Sequence, residues 1–445
     1  MADRKSEKNM MKVITSILRK IIYHCSGFSP RMNKAVLGSY KDQFSDNAKY
    51  LCLHWQQTRF IRAIWISGDA SLIKQLREEG IEAYHRRSLR GLYHCLTSKY
   101  YFYNTYIGDI NQYVAKGAIK TNLWHGSPLK KIEFDIESGP LAHIYHAVGP
   151  LGRVLNSMKF HQQHITPDIM LSPSPVIDPL FISAFRITPQ QVIRSGNPRT
   201  DYHRRYPNQK KSLKSIFNVQ YNQVILYVPT CHDVTQTQGN NSQIKSQASS
   251  LSQSEMGRMS HYDKGFDWPR LSKQLQQNNQ LFLIRFHPNE AHLGKQLSQY
   301  PNIIDISSWQ DVYSTLHEVN LLITDQSSLF VDLLLYRVPI LFYRFNQVEE
   351  SIQLREAYDY AECLPLVGGL STSCNSSSNR TVHTFPALLE VLNKEESFLI
   401  DTETEKEYRL LQQIYWQTED NDAFSTIENE IIGRDELAQL KSIRQ

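Results

Sequence analysis

Two series of short apolar runs, separated by amphipathic stretches, dominate the pattern of this 445-residue chain. In the first, between residues 63 and 120, AIWISGD, IEAYH and SKYYFYNTY are predicted strands and SLIKQLREEG is a predicted helix that ends at Gly80. The second series begins after Lys214 and contains VILYVPT, LFLIRFHP, NIIDI, LLITDQ and PILFYRF. Runs that are apolar at consecutive positions are typical of parallel strands covered on both faces. The alternation therefore predicts an α/β fold with two doubly wound domains in tandem.

A predicted amphipathic helix over residues 10–25 precedes the first series. Its apolar residues recur at helical spacing, and Lys12, Ser16, Arg19 and Lys20 fall on the other side. Two interpretations remain open: a helix that lies in the headgroup layer of an anionic membrane, and an ordinary helix packed on its own domain. No run in the sequence reaches the roughly 18 to 20 apolar residues that span a bilayer.

Two other segments differ in composition from the α/β series. Residues 235–260 are rich in Gln, Ser and Asn and nearly free of aliphatic side chains, so we expect a mobile inserted loop that contributes nothing to a core. A polar loop of this length is either disordered or a lid, and both interpretations stay open. Residues 401–445 are charged and helical in pattern, and we expect them to pack back across the junction between the domains.

Composition excludes several classes of protein. With 41% hydrophobic residues the chain is globular, and a formal charge of +5 over this length is too small to indicate nucleic-acid binding. The six cysteines are scattered without a CxxC pair, so neither a disulfide framework nor a zinc site is indicated. No cluster of carboxylates in the sequence marks a metal site, and dependence on a divalent cation stays open.

Polar residues just past the predicted strands are the candidates for chemistry, because ligands bind at the carboxyl ends of the strands in an open α/β sheet. His125 follows the short apolar stretch 122–124 in a turn kept tight by Gly126 and Pro128, with Lys130 close behind. A histidine here can act as a general base near neutral pH. The alternative is a structural histidine that only makes hydrogen bonds in the turn.

Two further motifs carry cationic side chains. Arg199 in GNPRTD offers a planar fork for a phosphate, or alternatively pairs with Asp201 in its own turn. In IRFHPN, strand alternation places Arg285 and His287 on the same side, where both could act on one anion. The alternative for His287 is a residue at a strand end that caps the next helix.

A fourth candidate lies in ITDQSSLFVDLLL, where a strand leads directly into a helix. Thr324, Asp325, Ser327 and Ser328 stand at this junction, where hydroxyls and main-chain N–H groups can hold a phosphate. A plain N-cap serine is the alternative. The chain contains neither GxxxxGK[ST] nor a GxGxxG that follows a strand, so a P-loop and an ordinary dinucleotide fold are excluded.

Taken in order, the motifs NLWHGSPLKKIEFD, SGNPRTD, ILYVPTCHD, LIRFHPN and LLITDQSSLFVDLLLYRVPILFY resemble the CDP-glycerol glycerophosphotransferase family, which polymerises teichoic acids and related capsule polymers. The resemblance spans roughly residues 60–395. It implies two Rossmann-like domains of the GT-B type that face each other across a cleft. It also implies a reaction in which an acceptor hydroxyl attacks the β-phosphorus of a CDP-activated alcohol and CMP is released.

The resemblance assigns a role to each candidate. His125 is the expected base for the acceptor hydroxyl, and His287 holds or protonates the pyrophosphate as CMP leaves. The expected donor- and phosphate-binding residues are Arg199, Arg285, Thr324, Asp325, Ser327 and Ser328. The expected acceptor-side residues are Trp124, Gly126 and Lys130.

The implied donor is CDP-glycerol or another CDP-polyol, with no cofactor, and the implied acceptor is a polymer or a lipid-linked molecule. We expect a peripheral protein at the cytoplasmic face of the cell membrane. Its predicted parts are a membrane-surface segment (1–30), an acceptor domain (31–205), a CDP-donor domain (206–400) and a helical tail (401–445). A GT-B glycosyltransferase that uses a nucleotide-sugar and a non-catalytic scaffold at the membrane surface remain alternatives.

Overall fold

Two parallel β-sheets form the framework of the protein in a computed structural model. The structure describes residues 2–218, 220–230, 262–287, 290–345, 356–362, 380–416 and 422–443, so the polar segment 235–260 lies outside the described residues. The strand order is β3-β2-β1-β4-β5-β6-β7 in the first sheet and β10-β9-β8-β11-β12-β13 in the second, and every pairing is parallel. Two doubly wound α/β domains, as the sequence predicted, are confirmed.

The strands of the first sheet are β1 (Met32–Gly38), β2 (Ala63–Ser67), β3 (Ala83–His85), β4 (Ser98–Tyr103), β5 (Ile119–Asn122), β6 (Ile169–Ser172) and β7 (Val192–Arg194). The strands of the second are β8 (Gln223–Val228), β9 (Gln280–Ile284), β10 (Ile303–Asp305), β11 (Leu321–Thr324), β12 (Ile340–Tyr343) and β13 (Thr381–Val382). The helices are Ala2–Cys25, Asp46–Thr58, Ala70–Glu78, Leu89–Thr97, Ala142–Tyr145, Gly149–Lys159, Asp178–Phe185, Pro198–Arg205, Leu213–Phe217, Trp268–Gln277, Leu329–Leu335, Asp359–Glu362, Phe385–Asn393, Thr402–Tyr415 and Ala423–Ile443.

Both sheets are buried on their two faces. Strands β2, β8 and β9 and residues 34–38 of β1 are almost wholly inaccessible to solvent, and separate apolar clusters cover each side of each sheet. This burial explains why these strands, apart from β1, read as continuous apolar runs in the sequence. Because all strands in a sheet run the same way, their carboxyl ends lie along one edge, and the loops that follow them can converge on one site.

The helix Ala423–Ile443 returns to the first domain after the chain has completed the second. Phe424, Ile427 and Ile431 belong to the apolar core of the first domain. The Glu428 carboxylate lies 3.0 Å from Nε2 of His54 and accepts a hydrogen bond of 3.0 Å from the indole of Trp55. The contacts confirm that the tail packs back across the junction.

The helix Ala2–Cys25 lies on the first domain with its apolar side turned outward. Ile14, Ile17, Leu18, Ile21 and Ile22 are between 42% and 54% exposed. Its opposite side makes the protein contacts: the Tyr23 ring lies 4.9 Å from the ring of His161, and Arg19 lies 5.2 Å from the ring of Tyr113. Within the described residues, no helix has the length and hydropathy to cross a membrane.

Candidate active site

Two adjoining cavities lie between the sheets, lined by loops that follow the strands of both. The first, here called the carboxylate cavity, has a volume of about 570 Å³, and its wall includes Asp46, Glu133, Asp311 and Asp332. The second, the lysine cavity, has a volume of about 490 Å³, and its wall includes Lys130. Both walls contain Trp124, His125, Ile132, Val228, Arg285, His287, Ser327 and Ser328. Both predicted catalytic histidines therefore lie where the two cavities meet.

His125 is exposed and follows strand β5, and a main-chain carbonyl fixes its imidazole. Its Nδ1 lies 3.1 Å from the Asn104 oxygen, in the loop after β4. A carbonyl oxygen can only accept, so Nδ1 carries the proton and the neutral ring has its lone pair on Nε2. This is the tautomer that a general base needs.

The turn that holds His125 has a backbone that few residues adopt. Trp124 has φ of 51° and Gly126 has φ of 144°, both in the left-handed half of the map. The side chain of Asn47 donates to the Trp124 oxygen at 2.9 Å, and the Asn122 side chain accepts from the Trp124 N–H at 2.9 Å. A Cβ at Gly126 would lie 3.4 Å from Oγ of Ser328 and 3.5 Å from Nη2 of Arg199. The turn therefore packs closely against Arg199 and against Ser328 of the second domain.

Arg199 connects the two domains at the wall of the carboxylate cavity. Its guanidinium lies 2.8 Å from the Asp46 carboxylate and 2.9 Å from that of Asp332, and only 3% of the residue is exposed. Burial alone would lower the pKa of Arg199, but the two carboxylates raise it well above its usual value. The expected alternative, a pair with Asp201, is wrong because Asp201 binds Arg204 at 3.1 Å.

Arg285 and His287 follow β9 and face both cavities, as strand alternation predicted. The Arg285 guanidinium donates to the Trp309 oxygen at 2.8 Å. Burial lowers the pKa of Arg285, yet an arginine stays charged at neutral pH. The site therefore has a desolvated cation beside His287, where the field of a charge is least screened.

Ser327 and Ser328 lie at the surface of both cavities, whereas Thr324 and Asp325 lie behind it. The Thr324 hydroxyl donates to the Val228 oxygen at 2.7 Å and accepts from the Ser327 N–H. The Asp325 carboxylate accepts from the main chain and hydroxyl of Thr230. Neither side chain lines either of these two cavities, and both make hydrogen bonds between the segments that follow β8 and β11.

The three predicted acceptor-side residues divide between the cavities. Trp124 lines both, and its ring packs against the His125 ring with centroids 4.4 Å apart and the ring planes tilted by 33°. Gly126 and Lys130 line only the lysine cavity, among the loops of the second domain. Gly126 and Lys130 therefore lie beside the carboxyl edge of the second sheet.

Several residues of the site were missed in the sequence. Asp46 and Glu133 line the carboxylate cavity. Their φ values are 62° and 49°, and no local sequence pattern predicts this conformation. Asp311 joins the domains by accepting from the Lys49 ammonium and the Tyr50 hydroxyl. Burial alone would raise the pKa of Asp311, but these two partners lower it below its usual value. Among the described residues, no group of three or more His, Cys, Asp or Glu side chains is placed to hold a metal ion.

Residues 21–433 match the sequence model of the family described as CDP-glycerol:poly(glycerophosphate) glycerophosphotransferase. The chain is 24% identical over 351 residues to a teichoic acid poly(glycerol phosphate) polymerase of Bacillus subtilis, covering 76% of this chain and 42% of that protein. It is 26% identical over 380 residues to a polymerase of the same name from Bacillus spizizenii, covering 80% and 86%. It is 25% identical to a teichoic acid glycerol-phosphate transferase of Staphylococcus aureus, covering 54% and 56%. The chain thus spans about half the length of most of these relatives.

Solved structures of the wall teichoic acid polymerase TagF have the same fold. One of them, from a soak with CDPG, superposes with a TM-score of 0.65 at 18% identity and covers 99% of each chain. Another superposes with a TM-score of 0.67 at 18% identity and covers 98% of this chain and 99% of that one. The architecture of two facing Rossmann-like domains, the GT-B type, is therefore confirmed.

Proposed function

The chain belongs to the CDP-glycerol:poly(glycerophosphate) glycerophosphotransferase family, and on that premise we propose that it transfers a polyol-phosphate from a CDP-activated donor to a hydroxyl of a polymer or lipid-linked acceptor. CMP is the second product, and glycerol phosphate is the proposed group transferred. The products fit the synthesis of a teichoic-acid-like or capsule polymer. The observation that carries the proposal is the position of His125 and His287 in the shared wall of two cavities, one for each substrate.

The lysine cavity suits the donor. It is bordered by the loops after β8, β9 and β11, at the carboxyl edge of the second sheet where α/β proteins bind ligands. Lys130 and Arg285 are its cations, and the described residues in its wall include no Asp or Glu. A pyrophosphate is stabilised in such a site because its charge meets cations and hydroxyls in a partly dry cleft.

The shared wall supplies groups for each part of the transfer. The acceptor hydroxyl oxygen forms a bond to the β-phosphorus, and its proton passes to Nε2 of His125. The bond from the β-phosphorus to the bridging oxygen breaks, and its electron pair leaves with CMP. His287, Arg285, Ser327 and Ser328 surround this region and would stabilise the charge on the non-bridging oxygens.

Release of CMP tests this function directly. We expect purified protein with CDP-glycerol and a glycerol-phosphate oligomer to release CMP, and His125→Ala to lose roughly 100-fold or more in kcat while it still binds CDP-glycerol. His287→Ala should lose activity as well. His143→Ala is the matched control, because His143 is exposed and lies outside both cavities.

The outcome against the proposal is equally specific. If neither CDP-glycerol nor CDP-ribitol yields CMP, and a nucleotide-sugar instead yields a nucleoside diphosphate, the protein is a glycosyltransferase of the same fold. Equal activity of His143→Ala and His125→Ala would remove the base from the proposed mechanism.

The finer proposal on location is a peripheral association with the cytoplasmic face of the membrane. The outward apolar side of the helix Ala2–Cys25 supports it, since apolar side chains at this exposure gain stability when they enter an interface. The neighbouring helix Gly149–Lys159 contacts this helix and adds exposed Leu151, Val154 and Leu155. Arg153 and Lys159 on the same helix are exposed cations that favour an anionic surface.

A further inference from the structure

The two cavities that meet at His125 differ sharply in charge. Four carboxylates line the carboxylate cavity, against the guanidinium groups of Arg199 and Arg285. Arg199 is shared between two of these carboxylates, and Asp311 is occupied by Lys49 and Tyr50. The lysine cavity has the opposite character among its described residues. Because phosphate is repelled by carboxylates and attracted by cations, the two cavities select different parts of the substrates.

Glu133 is the most distinctive acid in the carboxylate cavity. It begins the short 3₁₀ helix Glu133–Asp135, is 5% exposed, and has a positive φ of 49°. The hydroxyl of Tyr106, from the loop after β4, donates to its Oε1 at 2.7 Å. A carboxyl group in a cavity wall has several acceptor sites, so Glu133 can accept from the hydroxyl of a ligand as well as from Tyr106.

Asp46 offers a second acceptor from the other side of the cavity. Its Oδ1 accepts from Arg199 at 2.8 Å and from the Asn47 N–H at 2.8 Å. Its side chain is 23% exposed. Oδ2 has no hydrogen-bond partner among the described residues. Asp46 can therefore accept from a ligand without releasing the arginine.

The size of the carboxylate cavity bears on what enters it. Its volume of about 570 Å³ lies within the range of pockets that hold drug-sized molecules, about 300 to 1,000 Å³. A single triol would leave most of this space to water. A sugar ring or a longer polyol would fill more of it and present several hydroxyls to the wall.

We infer that the carboxylate cavity binds the neutral, hydroxyl-rich end of the acceptor, a sugar or a polyol, with Glu133 and Asp46 as its hydroxyl-binding residues. This inference rests on the proposed function, since it assigns the acceptor of that reaction. The acceptor's own phosphates remain outside this cavity. Its terminal hydroxyl reaches the shared wall at His125, opposite the donor in the lysine cavity.

Soluble acceptors test the inference with the full chain and CDP-glycerol as donor. The probes are methyl β-D-glucopyranoside and ribitol, which are neutral, and glycerol 3-phosphate, which is anionic. We expect the neutral probes to accelerate CMP release more than glycerol 3-phosphate does. In Glu133→Gln we expect the KM of the neutral probes to rise about 10-fold, the effect of weakening a hydrogen bond to a charged group.

Three controls separate acceptor binding from a general loss of structure. Glu137→Gln changes an exposed acid on the same segment that lines neither cavity, and should behave as wild type. CMP release into water without acceptor is recorded in parallel for each variant, so that a change in the acceptor KM is separated from a loss on the donor side. Asp46→Asn should raise the KM of the neutral probes independently, with thermal unfolding recorded for each variant.

Two different failures can be told apart. Absence of CMP from wild type with every acceptor and with water would overturn the proposed function and the inference together. CMP release with an unchanged acceptor KM in both Glu133→Gln and Asp46→Asn would overturn the inference alone. A preference of wild type for glycerol 3-phosphate over the neutral probes would do the same.

Discussion

The imidazole Nδ1 of His125 donates to the main-chain oxygen of Asn104, 3.1 Å away, and this bond couples the proposed base to the loop after β4. The loop is held by a buried acid: Oδ2 of Asp109 accepts from the N–H groups of Asn104 at 3.2 Å and Thr105 at 2.8 Å. The Asn104 side chain also donates to Ser39 at 2.8 Å. The orientation of His125 therefore depends on a residue that lines neither cavity.

Asp109→Asn should lower kcat by roughly 10- to 100-fold and leave the KM for CDP-glycerol unchanged. The neutral amide oxygen is a weaker acceptor for the two N–H groups than a carboxylate, so the Asn104 oxygen is held less firmly and the base loses its alignment. Steady-state CMP release measures the effect. Asp69→Asn, a helix cap in the same domain, is the matched control. A folded Asp109→Asn protein with wild-type kcat would show that this loop does not position His125.

Asp109 should also make the stability of the protein depend on pH. Burial raises the pKa of this carboxyl from 3.8 to about 7. The folded state therefore binds a proton that the unfolded state has lost, and stability falls as the pH rises from about 4 to about 7, by up to about 4 kcal/mol. Thermal unfolding across this range measures it. The decrease of stability with pH should be smaller in Asp109→Asn than in wild type. An identical pH dependence in the variant would exclude Asp109 as its source.

Asp332→Asn should destabilise the protein strongly. It removes one of the two carboxylates that neutralise Arg199, and both residues of the pair are at most 3% exposed. Removing one partner of a buried charge pair lowers the free energy of unfolding by about 3 kcal/mol or more. Because Asp46 remains paired with Arg199, we expect a decrease at the lower end of this range. Denaturant unfolding is the measurement. Glu390→Gln, which breaks an exposed pair with Lys394, should leave the unfolding curve in place. Equal curves for both variants would contradict a stabilising role for the buried pair.

Replacement of Ile14, Ile17, Leu18 and Ile21 by serine should abolish binding to anionic vesicles while the fold stays intact, since each side chain is at least 45% exposed. Sedimentation with vesicles of phosphatidylglycerol and phosphatidylcholine, compared with phosphatidylcholine alone, measures the effect. Leu89→Ser with Leu399→Ser removes exposed apolar surface elsewhere and is the control. If the quadruple variant sediments like wild type, the outward face has another role.

Local pattern predicted most of the strands but missed β1, which lies between β2 and β4 in the interior of the first sheet. The reason is Lys34, a charged residue inside the strand that is 3% exposed and lies 3.1 Å from Nδ1 of His94. A buried lysine interrupts the apolar run by which the other strands were recognised. Its partner is distant in sequence, so only the folded chain shows why the position is tolerated.

In the candidate site, too, local sequence pattern predicted some residues and contacts in the folded chain determined the others. Residues in motifs next to strand ends, such as His125 and His287, could be predicted because parallel strands bring their carboxyl ends together. The sequence could not predict Asp46, Asn104 and Glu133 as site residues, because their roles depend on positive φ values or on contacts between separate loops. Thr324 and Asp325 also stand at a strand end, and their hydrogen bonds to Val228 and Thr230 became visible only in the folded chain.

The return of the helix Ala423–Ile443 sets the order in which the domains can be completed during synthesis. The core of the first domain contains Phe424, Ile427 and Ile431, which leave the ribosome only after the whole second sheet has been made. Until then the groove around Trp55 and His54 has no covering helix. The first domain to emerge is therefore the last to be finished, and the nascent chain exposes this apolar surface throughout translation of the second domain.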